Sequence, residues 1–516
     1  MDRLLGIETE YGIVAEGLNA SDWVSESMAL IRGVPGPQVS GWNYHGEDPR
    51  RDMRGFTVKH LSTNPDDAKF DLPGSKPMSR EEERNDRVLA NGARFYNDHG
   101  HPEYSTPECR MLRDLVAHDK AGERIVWEAA KKRSEQTSRA VTIYKNNTDF
   151  HGASYGTHEC YLTLRDVLPE MLIAMLLPFF ASRCIFAGAG KSGVENISGS
   201  EANLFQMSQR ADYMAIEASV DTLHNRPLVN TRDEPHATPS RYRRLHVICG
   251  DANMSEYATA LKTGTTAVVL AMLEKGAEPL LRLRDPVRAA RLFSRDITLK
   301  QSAERENGTP VTALEIQRIY LDQAHRYLSE ETDEDIRWTL AEWENILNVL
   351  ARDPMEAADR LDWVAKYQLL NEFGIEEKLA WNDPHMQSLD LAYHNIDPEA
   401  GLYHALLQAG EMRTLVTEAR VQSAITCPPA DTRAFLRGLF VERFAASIRA
   451  IGWNGVLFRH NEEDLLFDMN PLVEDNVRLL NEEFQVARSL AQVVDLLQPG
   501  SEIKRRSGGE ENGNAC

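Results

Sequence analysis

The sequence predicts an α+β (mixed α/β) fold, with a large sheet-based domain followed by a small C-terminal one. Three observations carry that prediction. Short apolar segments in the first half hold polar residues at every second position, the spacing of an extended strand. Asp285–Phe373 is helical in periodicity almost throughout, and its charges suit a solvated face. Thr426-Cys-Pro-Pro-Ala-Asp431 contains two adjacent prolines that cannot continue a helix, so the chain divides there.

Taken in order, residues 3–15 (RLLGIETEYGIVA) read as a first strand, with Glu8 and Glu10 emerging on one face. Their flanks are apolar (Leu4, Leu5, Ile7, Ile13, Val14), and acids in such a strand need a cation or a donor. Ala20–Arg32 suits a short amphipathic helix. Residues 33–87 change character, with six prolines among many charges, and read as a long inserted loop. Trp42, Tyr44 and Phe56 give its first part something to pack with, whereas 64–87 reads as mobile.

The stretch richest in chemistry is Asn91–Glu108, NGARFYNDHGHPEYSTPE. Gly100 and Pro102 break it near its middle, so it reads as strand, tight turn, strand. Arg94, Tyr96 and Asp98 share one strand face, and Glu103 and Ser105 share another. A hairpin folds those faces onto one side and sets two carboxylates and a phenol around one point, an oxygen-ligand set that suits Mg²⁺.

Leu112–Gln136 follows as a helix and Val141–Lys145 as a short strand. A loop from Gly152 then feeds a strand on which His158 and Cys160 face one way, Glu159 and Tyr161 the other. The most apolar run, Leu168–Ala187, is interrupted by Pro178 and charged by Arg183, which makes it a buried helix rather than a membrane span. Arg241–Asp251 reads as a strand presenting Arg244 and His246. Ser255–Glu274 reads as a helix opened by a serine cap. Past the proline pair come a helix (Thr432–Ile451), a strand near Trp453–Arg459 and a helix (Asn476–Leu497). The polar, Gly-rich end from Gln498 reads as disordered. The expected division is therefore 1–427, 428–497 and a tail, 498–516.

Composition narrows the class. The chain is 42% hydrophobic and 27% charged, the balance of a globular protein. A net charge of −21 argues against general binding to nucleic-acid phosphates. The six cysteines are scattered with no CxxC, which excludes a disulfide framework and suits a reducing compartment. No apolar stretch of signal-peptide length precedes the first acids, so a cytoplasmic protein with no membrane partner is expected.

Collected together, Glu8/Glu10, Tyr96/Asp98, Glu103/Ser105, His158 with position 160, and Arg244/His246 are polar pairs on five strands. They suggest one sheet face lined by carboxylates, imidazoles and an arginine. That inventory suits divalent cations bridging the phosphates of a nucleotide, with arginine neutralising charge. Neither a Walker A sequence nor GxGxxG is present.

GIETEYG, NGARFYNDHGHPEYSTPE, YKNNTDFHGASYGTHE, NTRDEPHA and RYRRLHVICGDANMSE together resemble the Pup ligase and depupylase family. It is a branch of the glutamine synthetase-like carboxylate–amine ligases, and the likeness runs from residue 1 to about 497. The resemblance implies a glutamine synthetase-like large domain, with a curved antiparallel sheet packed by helices, and a small C-terminal domain. It implies ATP (or ADP) and Mg²⁺ as cofactors, Pup or a Pup-like modifier and pupylated proteins as partners, and a functional link to the bacterial proteasome. By the same resemblance Glu8, Tyr96, Glu103, His158 and His246 would hold Mg²⁺. Ser105, Thr106 and Arg244 would contact ATP, as would Glu8, Glu10 and the backbone around Thr9, Tyr11 and Gly12. Asp98 would be the catalytic carboxylate, as base or nucleophile. The family has a ligating and a hydrolysing branch. The 90 residues between Glu8 and Asp98, the block WNYHGEDPRRDMRGF and the wording DHGHPEYS favour the hydrolysing one. The implied reaction is deamidation of the C-terminal Gln of Pup and hydrolysis of the Pup–lysine isopeptide bond. The alternatives are a Pup–protein ligase and a non-catalytic Pup binder. One departure stands out: Cys160 occupies the place where the family usually has Asn. Pup-like modifiers are acidic, so a groove for one must be locally basic, with Arg241, Arg243 and Arg50/Arg51/Arg54 as candidates.

Overall fold

The computed structural model describes residues 3–18, 22–44, 47–59, 61, 85–194, 203–473, 477–497 and 503–505. Its centre is a seven-stranded sheet in the order Tyr242–Val247, Thr157–Leu164, Leu5–Glu10, His101–Ser105, Arg94–Asp98, Arg87–Leu89, Gln38–Val39. Every neighbouring pair is antiparallel. The expected hairpin is present: Tyr96 pairs with Glu103 and Asp98 with His101. The two residues of its turn, His99 (φ 46°) and Gly100 (φ 94°), are both left-handed, as a two-residue hairpin turn requires.

Registration decides what each face carries, because residues directly opposite in an antiparallel pair point the same way. Glu8 lies opposite Ser105 and His158, Glu10 opposite Glu103, and His246 opposite Cys160. All the polar pairs therefore fall on one face. The alternate residues Leu5, Ile7, Tyr161, Leu245 and Val247 join the main core with Phe179, Tyr257 and Leu261. Phe95 and Tyr104 join a second core with Leu30, Ile31 and Val126. The helices Trp23–Arg32, Leu112–Thr137, Pro169–Ser182 and Glu256–Glu274 supply these core partners. The last is capped as its sequence predicts, with Ser255 accepting from the Ala258 N–H.

The same alternation places Glu159 on the core side, where it would be an isolated charge. Arg183 answers it with two bonds of 2.7 and 2.8 Å, and the Tyr161 hydroxyl donates a third of 2.5 Å. The arginine that marked 168–187 as no membrane span is thus a core counter-ion. Among the described residues no helix is long and apolar enough to cross a membrane.

Several boundaries differ from the sequence reading. Residues 3–15 form two strands, Leu5–Glu10 in the large sheet and Gly12–Ala15 paired with Val141–Tyr144. The chain leaves the sheet at Tyr11, whose ring is fully buried in the second core. After the proline pair the helix is shorter, Ala434–Phe444, and Ile448–Ile451 becomes the first strand of a four-stranded sheet. The expected last helix is two, Arg478–Val486 and Leu490–Leu497. Arg443 donates to the carbonyls of Gln485 and Ala487 at the break, satisfying the end of the first. Within 498–516, residues Ile503–Arg505 pair along the Glu463–Asp468 strand and cover an edge that would otherwise be open. The rest of that stretch, and 62–84 of the segment read as mobile, lie outside the described residues.

The start of the inserted segment is tied down. Gln38–Val39 extends the sheet, Met53 enters the main core, and the Trp42 ring meets Trp453 edge-on at 5.0 Å. Arg94 is held between the Trp42 and Tyr96 rings, at 4.1 and 3.9 Å, and pairs with Asp86.

Candidate active site

The polar face runs from a closed end at Leu4 and Trp453 to an open end at Asp98. At its middle Glu8 is ringed by nitrogens: His158 Nδ1 at 3.4 Å, His246 Nε2 at 3.5 Å and Arg244 Nη1 at 3.4 Å. Burial pushes the Glu8 carboxyl up, but the two imidazoles and the Arg244 charge outweigh it and hold Glu8 well below the usual range. Burial beside Arg244 lowers His246 to about 3, so its ring is neutral and able to ligate. Its edge meets His158 at 4.9 Å between centroids.

Towards Asp98 the balance of charge reverses. Burial, then Asp98, Glu10 and Glu8, push Glu103 well above the usual carboxylate range. Carboxylates so crowded call for a cation. Tyr96 sits opposite Glu103 and bonds to it. Burial and Glu103 raise its phenol, so it remains a neutral donor. Glu10 is fixed by the Gly156 N–H at 2.8 Å and lies 3.9 Å from His158. Asp98 has a side chain 21% exposed, more than Glu8 (17%) or Glu10 (10%), and is the carboxylate a substrate reaches most easily.

Three overlapping groups have ligand atoms all within 4.8 Å of one another: Glu8–Cys160–His246, Glu8–Glu103–His158 and Glu10–Asp98–Glu103. The last two are oxygen-rich and partly buried, the donor set that hard divalent cations such as Mg²⁺ take. The structure thus brings Glu8, Tyr96, Asp98, Glu103, His158, Arg244 and His246 onto one surface.

Other expected residues are placed differently. Ser105 and Thr106 line a cavity of about 560 Å³, together with Leu4, Gly6, Glu8, Cys160, Arg244 and Trp453. The Thr106 hydroxyl accepts from the Ile7 N–H and so anchors the strand. Thr9 is buried on the opposite face, and its ladder partners are Tyr104 and Thr157. The backbone donors of Glu10 and Tyr11 are already bonded to Gly156 and Pro102, and Tyr11 points into the second core. Gly12 packs under Tyr155, whose hydroxyl would lie 2.6 Å from an added Cβ. Of the arginines expected for an acidic partner, Arg243 falls on the core face by strand alternation and donates to the Val167 carbonyl. Arg54 is held by Asp52, and Arg50 lies 3.4 Å from Asp48.

The cavity also contains residues to which the sequence reading gave no role. Glu108 accepts from Arg433 at 2.8 Å and from Arg437. Burial raises that carboxyl, but the two guanidinium groups bring it down to about 2. Pro235 and His236 close another side, and Arg244 is positioned by the Glu234 carbonyl at 3.0 Å. Trp453 and Val473 come from the C-terminal unit. An apolar wall beside a polar floor is what a planar base with a charged appendage fills.

Comparison with known proteins bears on what fills it. The family model described as "Pup-ligase protein" matches residues 3–457. The depupylase of Acidothermus cellulolyticus is 43% identical over 470 residues, 89% of this chain and 91% of that protein. The Pup deamidase/depupylase of Mycolicibacterium smegmatis is 42% identical over 467 residues, 89% and 92% of the two chains. A Pup–protein ligase of Acidimicrobium ferrooxidans is 44% identical over 364 residues, covering 68% of this chain and 79% of its own. Among solved structures, the ligase PafA in complex with Pup superposes with a TM-score of 0.74 at 30% identity, covering 96% of this chain and 94% of its own. PafA in complex with ADP gives 0.71, also at 30% identity, with 87% and 96% covered.

Proposed function

The chain belongs to the Pup-ligase family, and on that footing we propose that it is an ATP- and Mg²⁺-dependent hydrolase of carbon–nitrogen bonds. Its substrates are the C-terminal Gln amide of Pup and the isopeptide bond between Pup and a lysine. The observation that carries this reading is the row of carboxylates ending at Asp98, the one with the most exposed side chain, beside acids that need a cation. Relatives named for hydrolysis are 42–43% identical over 89% of this chain, whereas ligases are 44% identical over 68% of it or 39% over 87%, a balance that supports the hydrolytic branch.

Glu8, Glu103, His158 and Glu10 would hold the cations, with Asp98 beside them as the catalytic carboxylate, and the cavity beside Arg244 and Trp453 would take the nucleotide. Metal-bound phosphate supplies a field that polarises the amide carbonyl and keeps nearby carboxylates ionised. Asp98 either takes a proton from water as the hydroxide adds to the carbonyl carbon, or adds to that carbon itself. In the first route the C–N bond breaks as the proton held by Asp98 passes to the leaving amine. In the second the amine leaves with a proton from solvent, and the water that then hydrolyses the acyl–Asp98 bond returns one. Trapping of the acyl group by hydroxylamine separates them, since only the second route forms it.

The test is incubation with Gln-ended Pup and with a Pup–lysine conjugate, in ATP and Mg²⁺. Ammonia release and conjugate cleavage are expected, both abolished by Asp98→Ala. Formation of conjugate from Glu-ended Pup and a lysine-bearing protein would overturn the hydrolase reading in favour of the ligase.

A further inference from the structure

The three ligand groups along the polar face differ in chemical hardness. Glu10–Asp98–Glu103 offers oxygen alone, and Glu8–Glu103–His158 oxygen and one nitrogen. Glu8–Cys160–His246 offers oxygen, nitrogen and sulfur. Cys160 Sγ lies 3.4 Å from Glu8 Oε1 and 3.3 Å from Arg244 Nη1, so it is held at the cavity floor rather than turned away. His246 gives a second, independent sign of a ligand. Its ring is 4% exposed, both nitrogens lack a hydrogen bond, and Nε2 points at Glu8 from 3.5 Å. A buried imidazole left unbonded costs free energy that coordination would return.

We propose that Glu8, Cys160 and His246 form a site for a thiophilic divalent cation of the zinc class, and that its occupation antagonises nucleotide binding. One Cys, one His and one carboxylate with a fourth position open is a set that Zn²⁺ accepts and Mg²⁺ disfavours. Binding displaces the thiol proton to solvent and leaves a thiolate on the metal, next to the Arg244 charge. Antagonism follows from position: Glu8, Cys160 and Arg244 all line the cavity assigned to the nucleotide, and Glu8 is shared with the neighbouring oxygen-rich group. This second half rests on the nucleotide reading given above, whereas the metal site does not.

Cobalt(II), a coloured stand-in for zinc, tests the site on the full chain. One equivalent should develop thiolate-to-metal absorption that one equivalent of zinc bleaches. Cys160→Ser and Cys160→Ala should lose the absorption and Cys249→Ser should keep it, with circular dichroism melts confirming that each variant is folded. His246→Gln removes a ligand and should weaken binding by more than the roughly 10–100-fold that losing an outer-shell partner costs. No absorption in the parent protein, or absorption that survives in the folded Cys160 variants, overturns the proposal. ADP titration then tests antagonism. Zinc should weaken ADP binding by about ten-fold or more in the parent protein and not in Cys160→Ala. Equal ADP affinity with and without zinc overturns it. Absence of ADP binding even without zinc would overturn the nucleotide reading and the antagonism with it, and the cobalt result would still decide the metal site.

Discussion

The Gly156 N–H donates to Glu10 Oε1 across 2.8 Å, and a Cβ added at Gly156 would lie 2.5 Å from that same oxygen and 2.2 Å from His158 Nε2. One backbone unit thus both positions an acid and leaves it room. Gly156→Ala must push Glu10 and His158 aside while the core behind them is untouched. We expect Mg²⁺ affinity to fall by about 10–100-fold, as for other changes behind metal ligands, with little change in melting temperature. Isothermal titration with Mg²⁺ and a thermal melt read the two effects separately.

Glu103 carries the second expectation. Burial and three neighbouring carboxylates hold its proton more tightly in the folded chain than in the unfolded one. Metal-free stability must therefore fall as pH rises through the ordinary carboxylate range, because the folded state is then the one binding more protons. Glu103→Gln should raise the metal-free melting temperature and remove that slope. In the parent protein Mg²⁺ at roughly a hundred times its Kd should add about 2.7 kcal/mol. Melts at several pH values, with and without Mg²⁺, check both statements.

Glu108 titrates in the opposite sense. Arg437 and Arg433 bring it to about 2 in the folded protein, below the ordinary glutamate value of 4.5. The stability it contributes is complete above pH 4.5 and is lost as pH falls towards 2. Glu108→Gln leaves two buried guanidinium groups short of their counter-ion and should cost about 3–5 kcal/mol at neutral pH. Urea unfolding of the variant should show that loss at pH 7 and a smaller one in acid.

The pair Arg183–Glu159 gives a prediction about the core alone. Arg183→Leu strands a buried carboxylate and should cost about 3–5 kcal/mol, while adding Glu159→Leu should recover much of the loss. Denaturant midpoints for the single and double variants measure it. A double variant no more stable than Arg183→Leu would show that Glu159 has another partner of equal weight.

What the sequence made legible was local in origin. Alternation on a strand is set by backbone geometry, so the faces of Glu8/Glu10, Tyr96/Asp98 and His158/Cys160 could be read directly. The Ser255 cap and the Gly100 turn follow from single-residue chemistry. Neither the exit of the chain at Tyr11 nor the split of the last helix at Ala487 was legible, because burial against distant residues decides both. The site divided in the same way. Its hairpin and strand pairs were visible, whereas Glu108, Arg433 and Trp453 meet across more than 300 residues of chain. Arg243 was misassigned because charge suggests a surface, and the strand's parity turned it inward.

The Leu5–Glu10 strand lies between His101–Ser105 and Thr157–Leu164, while the cavity it helps floor is walled by Trp453 and Val473. During synthesis that strand therefore has no neighbour in the sheet until about a hundred residues have followed it. The cavity has no wall until well over four hundred have. Contacts so distant in sequence form slowly, and an unpaired strand with apolar flanks is a target for aggregation while it waits. A chain cut short of Trp453 would thus leave the cavity floor without its wall.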